Sequence, residues 1–135
     1  GLIGIFGYSL YSASKYALVG FSECLRSELK RHNIRVTVVC PPEVKTPLIE
    51  EEAKTMPPEG KAVKRMAGLL EPGHVARTLV WAIVRNRFLV VPGLAAKFMY
   101  FWHRVSNGHL TRIASDWIVA LSARKALKNR KQQGG

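Results

Sequence analysis

The stretch Ile34-Arg-Val-Thr-Val-Val-Cys40-Pro41-Pro42 restricts the possible folds more than any other part of the chain. From Arg35 to Cys40 it is β-branched and apolar, without the polar alternation of a half-solvated strand, so it reads as a short buried strand of a parallel sheet. Pro41 and Pro42 stop it, because proline has no N–H to give to a ladder. Upstream, Ala17, Leu18, Phe21, Leu25 and Leu29 recur at helical spacing, which predicts a helix capped by Ser9 or Ser12 and running to about Arg31. His32-Asn33 breaks it. Downstream, Glu71-Pro72-Gly73-His74 predicts a second helix with proline in its first turn and Val75, Leu79, Ala82 and Ile83 on one face. Phe88-Leu-Val-Val-Pro92-Gly93 then reads as a second strand and its stop. Helix, strand, excursion, helix, strand is the order of a doubly wound parallel sheet, an α/β fold.

The chain has 135 residues, 47% of them hydrophobic, enough for a modest globular core. Its formal charge of +12 is the unusual quantity. From Leu94 onward, Lys97, Arg104, Arg112, Arg124, Lys125, Lys128, Arg130 and Lys131 face the single acid Asp116, so much of the excess sits in the tail and points to an anionic surface. Cys24 and Cys40 have no metal-ligand spacing around them and read as reduced structural thiols. His32, His74, His103 and His109 are scattered, and no metal site is assigned.

Tyr11-Ser-Ala-Ser-Lys15 is the motif that carries chemistry. Four residues apart near a helix start, the phenol and the ammonium share one helix face. A phenol exchanges protons poorly at neutral pH, and an ammonium beside a phenol favours the phenolate. Such a pair suits general acid work on a carbonyl oxygen. Alone, the same spacing is more often a solvated helix face, so the surrounding residues decide.

Those residues, Tyr16-Ala-Leu-Val-Gly20-Phe-Ser-Glu23, then Leu25, Arg26, Glu28 and Leu29, then the strand and Pro41-Pro42, resemble the active-site helix and following strand of the short-chain dehydrogenase/reductase family. The resemblance covers roughly residues 1 to 93. It implies the C-terminal part of a doubly wound Rossmann domain, in which Tyr11 protonates the substrate carbonyl while a nicotinamide cofactor delivers hydride, and Lys15 supports Tyr11 and binds the nicotinamide ribose. NADP(H) is the expected cofactor, with NAD(H) as the alternative. The family's catalytic serine would fall three residues before Gly1, and its glycine-rich phosphate loop further upstream. The chain is therefore expected to be part of a longer reductase and inactive by itself. By the same resemblance its helix 12 to 31 makes subunit contacts, implying a homo-oligomer.

Pro41-Pro42-Glu43-Val44-Lys45-Thr46 stands where this family has a proline-glycine cofactor loop ending in a threonine. The resemblance assigns Pro41, Pro42, Val44 and Thr46, with Tyr11 and Lys15, to cofactor binding. Pro42 replaces the glycine, which fixes φ and removes an N–H, so the loop path differs. Proline-proline-acid is also similar to the 3-ketosphinganine reductase branch. That implies a long-chain lipid ketone reduced to a secondary alcohol. A 3-oxoacyl reductase or another lipid or steroid carbonyl reductase stays open as an alternative. The following segment, with Glu50-Glu51-Glu52, Met56-Pro57-Pro58, Lys61, Lys64 and Arg65, falls where the family has a substrate lid. A solvated surface excursion is the plainer reading. Leu48, Ile49, Met56 and Met66 are the candidate substrate contacts.

Beyond Gly93, Leu94, Phe98, Phe101 or Trp102, and Val105 form one apolar face. After the turn at Asn107-Gly108, Leu110, Ile113, Trp117 and Leu121 form another. Residues 94 to 135 thus read as amphipathic, basic helices, a second unit beside 1 to 93. No 18-residue window is free of charge, so a spanning helix is not supported. Aromatic and basic residues on such helices suit a membrane interface through residues 94 to 131, with a subunit or domain contact as the alternative. Nucleic-acid binding ranks lower, since no recognised module or aromatic platform accompanies the basic cluster. The resulting expectation is a cytoplasmic protein peripheral to a membrane. A non-catalytic, basic membrane-interaction fragment is the reading from a different class.

Overall fold

The computed structural model describes residues 1–47, 49, 51 and 58–133. Its elements are α1 (Ser9–Leu29), β1 (Val38–Val39), β2 (Glu43–Val44), α2 (Pro58–Ala67), β3 (Leu69–Leu70), α3 (Pro72–Val84), β4 (Leu89–Val90), α4 (Leu94–Val105) and α5 (His109–Gln133). The fold is α/β and both strand pairs are parallel: Val38 faces Leu89 and Val39 faces Val90 across β1 and β4, while Glu43 faces Leu69 and Val44 faces Leu70 across β2 and β3.

Strands β1 and β4 are shorter than the apolar runs that produce them, because ladder bonds form only where a neighbour is in register. Val38 N–H donates to Phe88 C=O at 2.6 Å and Cys40 N–H to Val90 C=O at 2.8 Å. The Thr37 hydroxyl adds a bond to Arg87 C=O at 3.0 Å. The core lies on this pair: Val38, Ala82, Val90, Val91, Pro92 and Ala96 are buried. Val75, Leu79 and Ala82 of α3 face inward as the sequence predicts, but Ile83 is exposed.

Helix α1 starts at Ser9 and has neither Ser9 nor Ser12 as a side-chain cap. Tyr8 occupies the cap position, and Ser12 N–H bonds to Tyr8 C=O at 2.7 Å. A short 3₁₀ turn, Lys30–His32, extends the helix before Asn33 ends it. The predicted inner stripe also needs correcting. Leu25 and Leu29 turn inward with Lys15, Val19 and the buried Ser22, whereas Leu18 and Phe21 are 53% and 63% exposed.

Three helices end alike. Asn33, Asn86 and Asn107 adopt φ of 56°, 51° and 48°, and at each the following residue reaches back across the last turn: Ile34 N–H to Leu29 C=O, Arg87 N–H to Ala82 C=O, Gly108 N–H to His103 C=O. These are Schellman ends with asparagine in the left-handed position where glycine is commoner. At the β4–α4 junction Gly93 has φ 85°, which favours glycine, and a Cβ there would press on the Leu70 side chain at 3.3 Å. Helix α2 packs against both α5 and α4, and α4 against α5. The excursion after the cofactor-loop position is thereby tied to the tail.

Candidate active site

Tyr11 lies in the first turn of α1 with its ring about half exposed, and Lys15 follows one turn later, half-buried. The Lys15 ammonium stands 5.2 Å from the centroid of the Tyr11 ring, within the range at which a cation is attracted to an aromatic face. The ammonium and the ring of Tyr11 are therefore neighbours on α1. The Ser14 hydroxyl donates to Tyr11 C=O at 2.8 Å, fixing the turn from which Tyr11 projects. Next to Lys15, the Tyr16 phenol is pushed above its ordinary range by burial, with Arg112 opposing.

The cofactor-loop segment is anchored. Pro41 is exposed, while Pro42, Glu43, Val44 and Thr46 are half-buried. Pairing of β2 with β3 continues in Lys45 N–H, which donates to Leu70 C=O at 2.9 Å. The Lys45–Glu71 ion pair at 3.2 Å is exposed on both sides and adds little. Thr46 C=O accepts from Ile49 N–H at 3.0 Å. By chemistry, the Tyr11 phenol, the Lys15 ammonium and the Thr46 hydroxyl are group types that suit a nicotinamide ribose, whose hydroxyls need donors and acceptors.

Sequence reasoning missed three residues that join these parts. Lys64 of α2 places its Nζ 3.3 Å from Glu43 Oε1 and 4.8 Å from the Tyr8 ring centroid. Tyr8 in turn meets Tyr11 edge to face, at 5.7 Å and 86°. Positions 8, 43 and 64 have no common spacing, and Lys64 reads in sequence as one more charge in a solvated run. Met66 stands two positions after Lys64, about 200° around the helix from it, and is exposed. Ile49 is half-buried. Leu48 and Met56 lie outside the described residues. Among the described residues no cluster of His, Cys, Asp and Glu could hold a metal ion. Cys24 is exposed and Cys40 half-buried, both as free thiols, and burial pushes the Cys40 thiol up.

Residues 1–57, which contain the Tyr11–Lys15 helix and the loop, match the family model described as short chain dehydrogenase. The chain belongs to the short-chain dehydrogenase/reductase family. Relatives include a 3-dehydrosphinganine reductase of Danio rerio, 46% identical over 88 residues that make up 65% of this chain and 26% of that protein. A 3-ketodihydrosphingosine reductase of Dictyostelium discoideum is 43% identical over 97 residues, 72% of this chain and 29% of the relative. A putative oxidoreductase, SadH, of Mycobacterium tuberculosis is 31% identical over 128 residues, 88% of this chain and 45% of the relative. The chain thus spans about a quarter of the length of the first two relatives and less than half of the third. No solved structure matches.

Proposed function

We propose that this chain is the C-terminal part of the catalytic domain of a nicotinamide-dependent reductase that converts a long-chain lipid ketone, 3-ketosphinganine, to the secondary alcohol. The observation that carries the reading is the Tyr11–Lys15 juxtaposition at 5.2 Å, inside the segment that matches the family. Relatives named for reduction of 3-dehydrosphinganine and 3-ketodihydrosphingosine support the substrate class. Residues 1 to 93 complete a doubly wound sheet in the whole protein, and the preferred cofactor is NADP(H).

When bound, the cofactor supplies a hydride to the carbonyl carbon. Tyr11 Oη donates its proton to the carbonyl oxygen as charge develops there, which yields the alcohol and leaves a phenolate to be reprotonated from solvent. Lys15, held one turn from Tyr11, stabilises that negative charge and binds the ribose hydroxyls. The Pro41–Thr46 loop holds the nicotinamide end, with its path fixed by β2. Assay of the full-length protein with NADPH or NADH and 3-ketosphinganine tests the reading. Ketone-dependent cofactor oxidation is expected. Its absence in folded protein, with both cofactors, overturns the assignment.

A specific feature favours association of residues 94 to 131 with a membrane surface. Leu94, Phe98, Phe101, Val105, Leu110, Ile113, Trp117 and Leu121 are exposed on helices that also carry the basic excess. No described helix is long and apolar enough to cross a membrane. A substrate with a long alkyl chain resides in the bilayer, and a reductase held at its surface can collect it there. Exposed Leu10, Leu18 and Phe21 on α1 similarly suit a subunit contact.

A further inference from the structure

Where the start of α1, α2 and β2 converge, the Lys64 cation touches Glu43 and Tyr8, contacts that the reductase chemistry does not use. The Lys64 and Glu43 side chains, 3.3 Å apart, are only 11% and 23% exposed. A lysine so nearly covered has lost most of its hydration, and among the contacts that compensate are a carboxylate on the cofactor-loop segment and the ring of Tyr8, 4.8 Å away. Tyr8 passes the contact on by packing edge-on against Tyr11. One side chain on the excursion helix thus touches the loop strand and the neighbour of the proton donor.

We propose that Lys64 is a positioning residue, a latch that registers α2, the Pro41–Thr46 loop and the Tyr8–Tyr11 pair in one arrangement. The proposal rests on the reductase reading, and it ties helix α2 to the loop from within. Lys64 acts through Glu43 and Tyr8, and touches no reacting atom. Removing its charge leaves the Glu43 carboxylate half-buried without this partner and frees α2 from the loop. The binding-competent arrangement is then populated only in part, and apparent affinity falls by that fraction. Saturating cofactor and ketone restore it by mass action, so the loss concentrates in KM and not in kcat.

The test uses the full-length protein, NADPH and a soluble short-chain ketone, with NADPH binding also measured by fluorescence titration in the absence of turnover. Lys64→Met should raise the NADPH Kd and the KM for both reactants about tenfold, with kcat changed less than about twofold. Glu43→Gln should behave alike, Lys64→Arg should keep most of the affinity, and exchanging the charges, Glu43→Lys with Lys64→Glu, should recover a clear part of the loss. If Lys64→Met does not fold, Lys64→Arg against Glu43→Gln and the charge exchange carry the same comparison. Unchanged Kd in Lys64→Met or Glu43→Gln overturns the latch, as does a loss confined to kcat or an equal loss in Lys64→Arg. Tyr11→Phe, run in parallel, separates the two readings. Normal turnover there defeats the reductase assignment itself, whereas an inactive Tyr11→Phe beside an unaltered Lys64→Met removes only the latch.

Discussion

At the scale of single residues, the chemistry depends on a phenol that can give up a proton and a cation that stays beside it. Tyr11→Phe keeps the ring that packs against Tyr8 and faces Lys15 but removes the donor. In the full-length protein turnover should fall at least about a hundredfold, the usual contribution of a general acid, with thermal stability nearly unchanged. Steady-state kinetics beside a melting curve check this, and near-normal turnover in a folded variant refutes the role. Lys15→Met should lower turnover too and, unlike Tyr11→Phe, also weaken cofactor binding. The cysteines give an independent residue-scale test. Cys24 is exposed, whereas Cys40 is half-buried with its thiol pushed up by burial, so it offers less thiolate and less access. Limited iodoacetamide labelling near pH 8, read by peptide mass spectrometry, should modify Cys24 well before Cys40. The sign of the linkage follows from the same shift. The native thiol holds its proton where the unfolded one has lost it, so any effect is loss of stability as pH rises past about 9.0.

At the scale of elements, the helix ends are set by asparagines held at positive φ. Asparagine tolerates this region better than other non-glycine residues, and glycine tolerates it best. Asn33→Ala or Asn86→Ala should therefore destabilise the full-length protein by about 1 kcal/mol, while the glycine variants should be neutral or slightly stabilising. Equal melting temperatures for the alanine and glycine variants would show that the left-handed turn is not what those positions select. Two of these ends were legible in sequence, at His32-Asn33 and Asn107-Gly108, because the apolar period breaks there. The third was not, since Asn86 lies between a helix and a strand that are both apolar. Strands β1 and β4 and the tyrosine helix were legible for a related reason, each being written in local periodicity or in a motif of fixed spacing, whereas β2 and β3, two residues each, carry no such period. The inner face of α1 was misread because Leu18 and Phe21 make the stripe look wider than the buried one, and apolar character alone does not say which side is covered. The Lys64–Glu43–Tyr8 junction was invisible, since its members come from three separate elements and only the packing of α2 brings them together.

At the scale of the whole molecule, the packing of α2 on α5 and α4 changes how tail function must be probed. Deleting residues 94 to 135 would also strip α2 of its neighbours, and through Lys64 it would loosen the loop and the Tyr8–Tyr11 pair. A truncated protein that lost both vesicle binding and reductase activity would therefore say nothing about membranes. Substitutions confined to exposed side chains avoid this. Phe98, Trp102 and Trp117 are 65%, 39% and 69% exposed, and replacing all three by serine removes apolar area from the outer face of the tail. If that face lies in the interface, binding of the full-length protein to vesicles of mixed neutral and anionic lipid should weaken even at low salt, because burial of apolar surface is insensitive to screening. Neutralising Arg124, Lys125, Lys128, Arg130 and Lys131 should mainly remove the salt dependence, at about 1 kcal/mol for each charge near the surface. Reduction of a short soluble ketone should persist in both variants, since neither set includes Tyr11, Lys15 or a residue of the loop. Vesicle co-sedimentation at two salt concentrations, with size-exclusion chromatography on the same samples, distinguishes the possible occupants of the stripe. If the serine variant binds vesicles like wild type but elutes as a smaller species, the aromatic face is a subunit contact and the membrane reading falls.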